Sequence, residues 1–151
     1  MPVDPTETPR RRRSTSPYRL DEQVGFVLRQ AAQRHTTIFA AIMIDELTPT
    51  QFAALAKLME VGPCSQNKLG RFTAMDGATI KGVIDRLTKR GLTETSPDPD
   101  DGRLLMVALT DAGRAVAERA IPAGARITEE TLAPLNPDEQ GQLLTLLCKL
   151  R

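Results

Sequence analysis

From Leu20 onward the apolar residues recur at helical spacing, with Val24, Val27, Leu28, Ala31 and Ala32 followed by Ile38, Phe39, Ile42 and Met43. The pattern predicts one long first helix running through Leu47. Thr48-Pro49 then starts a second helix, because a Thr hydroxyl accepts from first-turn N–H groups and Pro has no N–H to leave unsatisfied. Phe52, Leu55, Ala56, Leu58 and Met59 supply the buried stripe of that helix until Gly62-Pro63 stops it. Ser65 caps a short third segment over residues 66–72, and a turn at 73–76 leads into a fourth helix ending near Arg90-Gly91. Two short helices joined by a tight turn make a helix-turn-helix. In the fourth helix Ile80, Val83, Ile84 and Leu87 follow an i, i+3, i+4, i+7 pattern and pack inward, which leaves Thr79, Lys81, Gly82 and Arg86 on or near the opposite side.

Residues 92–96 and 104–109 are short enough for strands, and the Pro-, Asp- and Gly-rich stretch between them is a turn, so a β-hairpin wing follows the helix-turn-helix. Thr110-Asp111 starts a fifth helix in which Pro122 and Gly124 predict irregularities. Asn136-Pro137 starts a sixth, whose Leu143, Leu144, Leu146, Leu147 and Leu150 exceed what one helix buries. That excess predicts a subunit interface with Leu20, Val24 and Leu132 across a two-fold axis. The fold expected is mainly α with a small β-wing: a winged helix-turn-helix of six helices, dimerising through its N- and C-terminal helices. Residues 1–17 are expected to form a disordered, basic, Pro-rich tail around Arg10 to Arg13. Residues 18–151 are expected to form one domain, with dimerisation helices at 18–47 and 111–151 and the winged helix-turn-helix lobe at 48–110.

Composition fits that picture. Aromatic residues are only 3% of the chain and hydrophobic residues 40%, which favours an aliphatic helical core over a β-sandwich. The net charge of +1 does not point to a polyanion partner, but its distribution does: between Ser65 and Arg90, six cations (Lys68, Arg71, Lys81, Arg86, Lys89 and Arg90) face only Asp76 and Asp85. Cys64 and Cys148 have no metal-ligand or C-x-x-C spacing, which suits a reduced compartment, and no apolar run approaches the ~20 residues of a spanning helix. The cytoplasm is the expected location.

A recognition helix needs short or cationic groups at its N-terminal turns, the end that meets base edges and phosphates. Gly77, Thr79, Lys81 and Gly82 meet that demand behind Asp76. Ser65, Gln66, Asn67 and Lys68 open the preceding helix, and Arg86 lies farther along, placed for the DNA backbone or an ion pair with the wing. At the wing tip Asp101 and Arg103 flank Gly102; an Arg there has the reach to enter a narrow minor groove, with Asp101 to hold it.

These segments together resemble the MarR family of bacterial regulators. The resemblance runs from about Tyr18 to Arg151 and rests on LTPTQFAALAKL at 47–58, ATIKGVIDRLTKRGL at 78–92, DPDDGR at 98–103 and LTDAGRAV at 109–116. It implies a homodimer whose recognition helices enter successive major grooves of double-stranded operator DNA, with Thr79, Lys81, Arg86 and Arg103 as contacts. Two positions depart from the family pattern: Gly82, where a longer polar or basic side chain is common, and Asp100, where Arg is common. VGPCSQNKLG and AMDGATIKGVIDRL are similar to the branch that represses nicotinate degradation and responds to a hydroxylated pyridine carboxylate. The resemblance also implies a pocket for a small aromatic carboxylate inducer near the meeting of the first two helices. Phe39, Phe52 and Met59 would line it, with Tyr18, Arg19 and His35 as polar partners.

One His and two distant Cys leave no catalytic set, no phosphate loop and no metal-ligand cluster, so neither an enzyme, a cofactor nor a metal is expected. Two other readings stay open. Cys64, just before a helix start that can lower a thiol pKa, allows a redox-responsive regulator, whereas Cys148 is expected to be buried and inert. A winged-helix protein-interaction module without DNA affinity is the other.

Overall fold

Among the described residues, five of the six α-helices begin on a side chain that accepts from a first-turn backbone N–H. In the computed structural model, which describes residues 17–151, α1 spans Val24–Ile42, α2 Pro49–Val61, α3 Gln66–Phe72, α4 Gly77–Lys89, α5 Asp111–Leu132 and α6 Pro137–Cys148. Thr48, Ser65, Asp76, Thr110 and Asn136 are the N-caps of α2 to α6. Thr48 with Gln51 and Asn136 with Glu139 form reciprocal capping boxes, satisfying two otherwise orphaned donors at each start. The first helix lacks such a cap and is preceded by a 3-10 turn at Leu20–Glu22.

The three strands, β1 at Cys64–Ser65, β2 at Thr93–Pro97 and β3 at Leu105–Leu109, form an antiparallel sheet in the order β1-β3-β2. Thr93 pairs with Leu109 and Pro97 with Leu105 in the hairpin, while Cys64 opposite Val107 anchors β3 beside α3. Leu55, Leu69, Ile80, Ile84, Leu87 and Val107 are fully buried at the centre of this lobe, each contributing about 1.5–3 kcal/mol of apolar burial. Gly113 lets the start of α5 lie directly on the chain entering the hairpin: a Cβ there would sit 1.8 Å from the Leu92 carbonyl oxygen.

The helices differ from the sequence expectation in three places. The first ends at Ile42 rather than near Leu47, and the corner that follows carries Asp45 and Glu46 at φ 53° and 52°. The fifth runs unbroken through Pro122, although proline removes the donor that would meet the Glu118 carbonyl. Leu132, expected at the subunit interface, is buried within the chain. Residues 1–16, with Arg10 to Arg13, lie outside the described residues.

The sixth helix has no buried residue of its own. Its Leu143, Leu144 and Leu147 close an apolar groove of about 490 Å³ with Val27, Leu28, Ala31 and Ala32 of α1 and Leu132 of α5. On the outer side of the same end, Arg34 of α1 donates to the Glu130 carbonyl at 2.8 Å and to the Thr131 carbonyl, satisfying the C-terminal end of α5.

Candidate nucleic-acid interface and effector cavity

The cap that starts α4 also sets its exposed face. Asp76 Oδ1 accepts from the Thr79 N–H at 2.7 Å, and the carboxyl is held below the ordinary carboxylate range, chiefly by that bond. With Ile80, Val83, Ile84 and Leu87 committed to the core, Gly77, Ala78 and Thr79 stand exposed at the N-terminal turn, followed by Lys81. Lys81 Nζ donates to Asp85 Oδ2 at 2.8 Å across one turn, with both side chains well exposed. Arg86 runs back beside Gly82. A Cβ on Gly82 would lie 3.6 Å from Arg86 Nη1, an ordinary contact, so the guanidinium lies over this turn of the helix without depending on the glycine. Among the described residues no carboxylate of the wing pairs with Arg86, contrary to one role considered for it.

Ser65 ends β1 and caps α3 through Lys68 N–H at 3.2 Å. Asn67 and Lys68 are exposed beside a half-buried Gln66, and Lys68 Nζ stands 5.5 Å from the centre of the exposed Phe72 ring. Gly70 keeps the turn between α3 and α4 tight, since a Cβ would come within 3.1 Å of both Ile80 and the Met75 carbonyl.

At the wing tip a cascade of side-chain to backbone bonds stiffens the loop. Asp98 Oδ1 accepts from the N–H groups of Asp100 at 2.7 Å and Asp101 at 3.0 Å. The Asp101 carboxylate then grips Arg103 at both ends, accepting from Nε at 3.0 Å, Nη2 at 3.3 Å and its backbone N–H at 3.1 Å. These bonds, the side-chain ones foremost, lower the Asp101 pKa. The Arg103 side chain is nonetheless 92% exposed, a cation fixed in orientation but open to solvent.

A second concavity, about 470 Å³, lies between α2 and α5 and is lined by Phe52, Ala56, Met59, Glu60, Ile121, Gly124, Ala125 and Thr128. Phe39, buried in α1, meets Phe52 edge-on with ring centroids 6.2 Å apart. Gly124 makes room for that ring, because a Cβ would fall 2.5 Å from Phe52 Cζ. Arg114 Nη1 reaches the Met59 sulfur at 3.5 Å, and Glu60 is paired with Lys57 at 2.8 Å.

The MarR family model matches residues 47–105, the span from the end of the α1–α2 corner to the second strand of the wing. The transcriptional repressor NicR of Pseudomonas putida is 44% identical over 136 residues, 89% of this chain and 86% of that protein. The chain belongs to the MarR family. Two solved structures superpose on it with a TM-score of 0.86. One is a probable transcriptional regulator from Pseudomonas aeruginosa, 56% identical and matching 88% of this chain and 100% of that one. The other is BpsR of Bordetella bronchiseptica, whose DNA binding is regulated by 6-hydroxynicotinic acid; it is 43% identical, covering 89% of this chain and 97% of that one. This MarR-family chain is accordingly a winged-helix transcriptional regulator and not an enzyme.

Within that frame the structure sorts the expected effector residues. Phe52 and Met59 line the cavity between α2 and α5, whereas Phe39 meets the Phe52 ring but does not line the cavity. His35 instead lines the groove against α6, where its Nδ1 lies 2.8 Å from Thr131 Oγ1, and Tyr18 and Arg19 are exposed and line neither concavity. The α5 wall of the cavity, Ile121, Gly124 and Thr128, was missed; the only signal in the sequence was a glycine in a helix, read as an irregularity. The cysteines reverse their expected places. Cys64 is buried in β1, and burial pushes its thiol pKa up against a smaller opposing effect of Lys68, which disfavours the reactive thiolate that redox sensing requires. Cys148 is the exposed one.

Proposed function

We propose that the protein is a cytoplasmic, ligand-released repressor that binds pseudo-palindromic duplex DNA as a homodimer. The observation that carries this reading is the exposed N-terminal face of α4, with Gly77, Thr79, Lys81 and Gly82 turned away from the core, beside a wing whose Arg103 is aimed by Asp101. In such a dimer the two α4 helices enter major grooves about 34–36 Å apart, Thr79 and Lys81 reach base edges or phosphates, and Arg103 enters the flanking minor groove. Ser65, Gln66, Asn67 and Lys68 meet the backbone at the start of α3. The two subunits join through the apolar faces of α1 and α6.

The effector in this reading is a small aromatic carboxylate of the hydroxynicotinate class, seated in the cavity between α2 and α5. Phe52 and Met59 offer the ring an apolar slot, the Thr128 hydroxyl a hydrogen bond, and Arg114 a cation at the Met59 end. Release follows if the effector binds more tightly to a geometry of the dimer that does not fit the operator.

The test is a gel shift on fragments upstream of the gene and its neighbours, repeated across salt. Binding should weaken steeply with salt, and Lys81→Ala should weaken it with the dimer intact. Arg103→Ala should cost most at A·T-rich flanks. Calorimetry with 6-hydroxynicotinate should give about −8 to −4 kcal/mol, and the ligand should lift the shift. No retained fragment at low salt would defeat the DNA reading; silence from the ligand would defeat only the effector assignment.

A further inference from the structure

The corner between α1 and α2 is held by side chains from two other helices. Asp45 Oδ2 accepts from Arg119 Nη2 of α5 at 2.7 Å, and the Asp45 backbone carbonyl accepts at 2.7 Å from Nη2 of Arg90, the residue that closes α4. Asp45 and Glu46 both lie in the left-handed region, at φ 53° and 52°. One such non-glycine residue is uncommon, and two in succession persist only where the surroundings hold them. After the corner, Leu47 is buried in the lobe core; before it, α1 runs to the opposite end of the molecule and the groove against α6. Arg119 lies outside the DNA face described above, and Arg90, one of the six cations of the basic stretch, closes α4 at the end opposite its exposed N-terminal turn.

We infer that Asp45 is a positioning residue: it fixes the angle between α1 and the recognition helix α4, and so the separation at which a dimer presents its two α4 helices. The inference rests on the dimeric DNA-binding reading. The Asp45–Arg119 pair is partly exposed, so it adds little to stability. Its effect is directional, because one residue joins the end of α4, the middle of α5 and the strained joint from which α1 departs. With its 19 residues α1 is about 28 Å long, so a tilt of about 5° at the corner displaces its far end by about 2.5 Å relative to α4. That error recurs in the second subunit and is read against a half-site spacing that duplex DNA adjusts only at the cost of bending or twisting.

Asp45→Asn makes the decisive variant. Asparagine tolerates the left-handed conformation, so the corner keeps its fold. The substitution removes a negative charge from a DNA-binding protein, and electrostatics alone therefore predicts tighter binding to every fragment. Positioning predicts the opposite on a fragment with two half-sites, a loss of roughly fivefold or more. It also predicts an unchanged salt dependence and no loss on a single half-site. Arg119→Gln should lose a similar factor, and the double variant little more than either.

A second readout needs no DNA. With Cys148→Ser and a spin label at Lys89→Cys on α4, the inter-subunit distance distribution should be narrow in the parent and broadened by Asp45→Asn. An unbroadened distribution overturns the proposal whatever the gel shift gives, and so does binding to the two-half-site fragment that is equal or tighter. Should the parent retain no fragment at all, the function reading fails, while the spin-label distances still decide the role of Asp45.

Discussion

Lys81 and Asp85 sit one turn apart on the exposed face of α4, and their 2.8 Å ion pair is an easily exchanged one. Exposed pairs at this spacing are worth about 0.3–0.5 kcal/mol, so a phosphate or guanine edge can displace Asp85 at little cost. Asp76 at the head of the same helix has a firmer role, since its carboxylate accepts from the Thr79 N–H in the folded chain and its pKa is lowered there. A carboxyl whose folded pKa lies below its unfolded value stabilises fully above about pH 3.9, and that contribution is lost as pH falls through the folded value. Asparagine caps about as well and does not titrate. Thermal melts followed by circular dichroism should therefore show the parent losing more of its Tm than Asp76→Asn between pH 7 and about pH 3. Parallel losses would remove Asp76 from the acid response.

Helix starts were legible in the sequence because a cap is local chemistry: Thr48, Ser65, Thr110 and Asn136 each needed only a hydroxyl or amide side chain at the head of the helical stretch. The end of α1 was not legible. Ile42, Met43 and Ile44 continue an apolar run, and what stops the helix is a corner held from 45 and 74 residues away by Arg90 and Arg119. β1 was missed for a related reason, because two residues carry no periodicity and Cys64 joins the sheet only through Val107. Pro122 misled in the other direction, since Ala120, Ala123 and Ile127 pack inward on both sides of it and the helix continues despite the lost hydrogen bond. At the head of α5 the fit is tighter than any pattern conveys. The Leu92 carbonyl is already pinned by the Thr110 N–H at 3.1 Å, so it cannot retreat from a new methyl group on Gly113. Gly113→Ala should destabilise the chain by about 3 kcal/mol or more in a urea titration. A change below about 1 kcal/mol would show that α5 can slide.

For the whole molecule, the core of the winged-helix lobe was legible because its buried residues lie on simple stripes in α2 and α4. The cavity between α2 and α5 was not, because it depends on which turn of α5 passes α2. The apolar faces of α1 and α6 were legible as an excess without a partner in the chain, and the structure leaves Val24, Val27, Leu28, Leu144 and Leu147 exposed. Leu147→Glu places a charge in the groove between α1, α5 and α6, where a second subunit would have to desolvate it. Light scattering after size exclusion should find the parent dimeric and this variant monomeric, with operator affinity lost along with the dimer. A dimeric variant would move the interface elsewhere.

Thr128 borders both concavities, the one between α2 and α5 and the one against α6. With the proposed effector seated in one and the proposed second subunit in the other, a single turn of α5 serves as a party wall between them. Whatever pushes on that wall from one side is felt on the other, and reciprocity makes the influence equal in both directions. On that reading, affinity for the proposed effector is a property of the assembled pair, tighter or looser according to how firmly the two chains are joined.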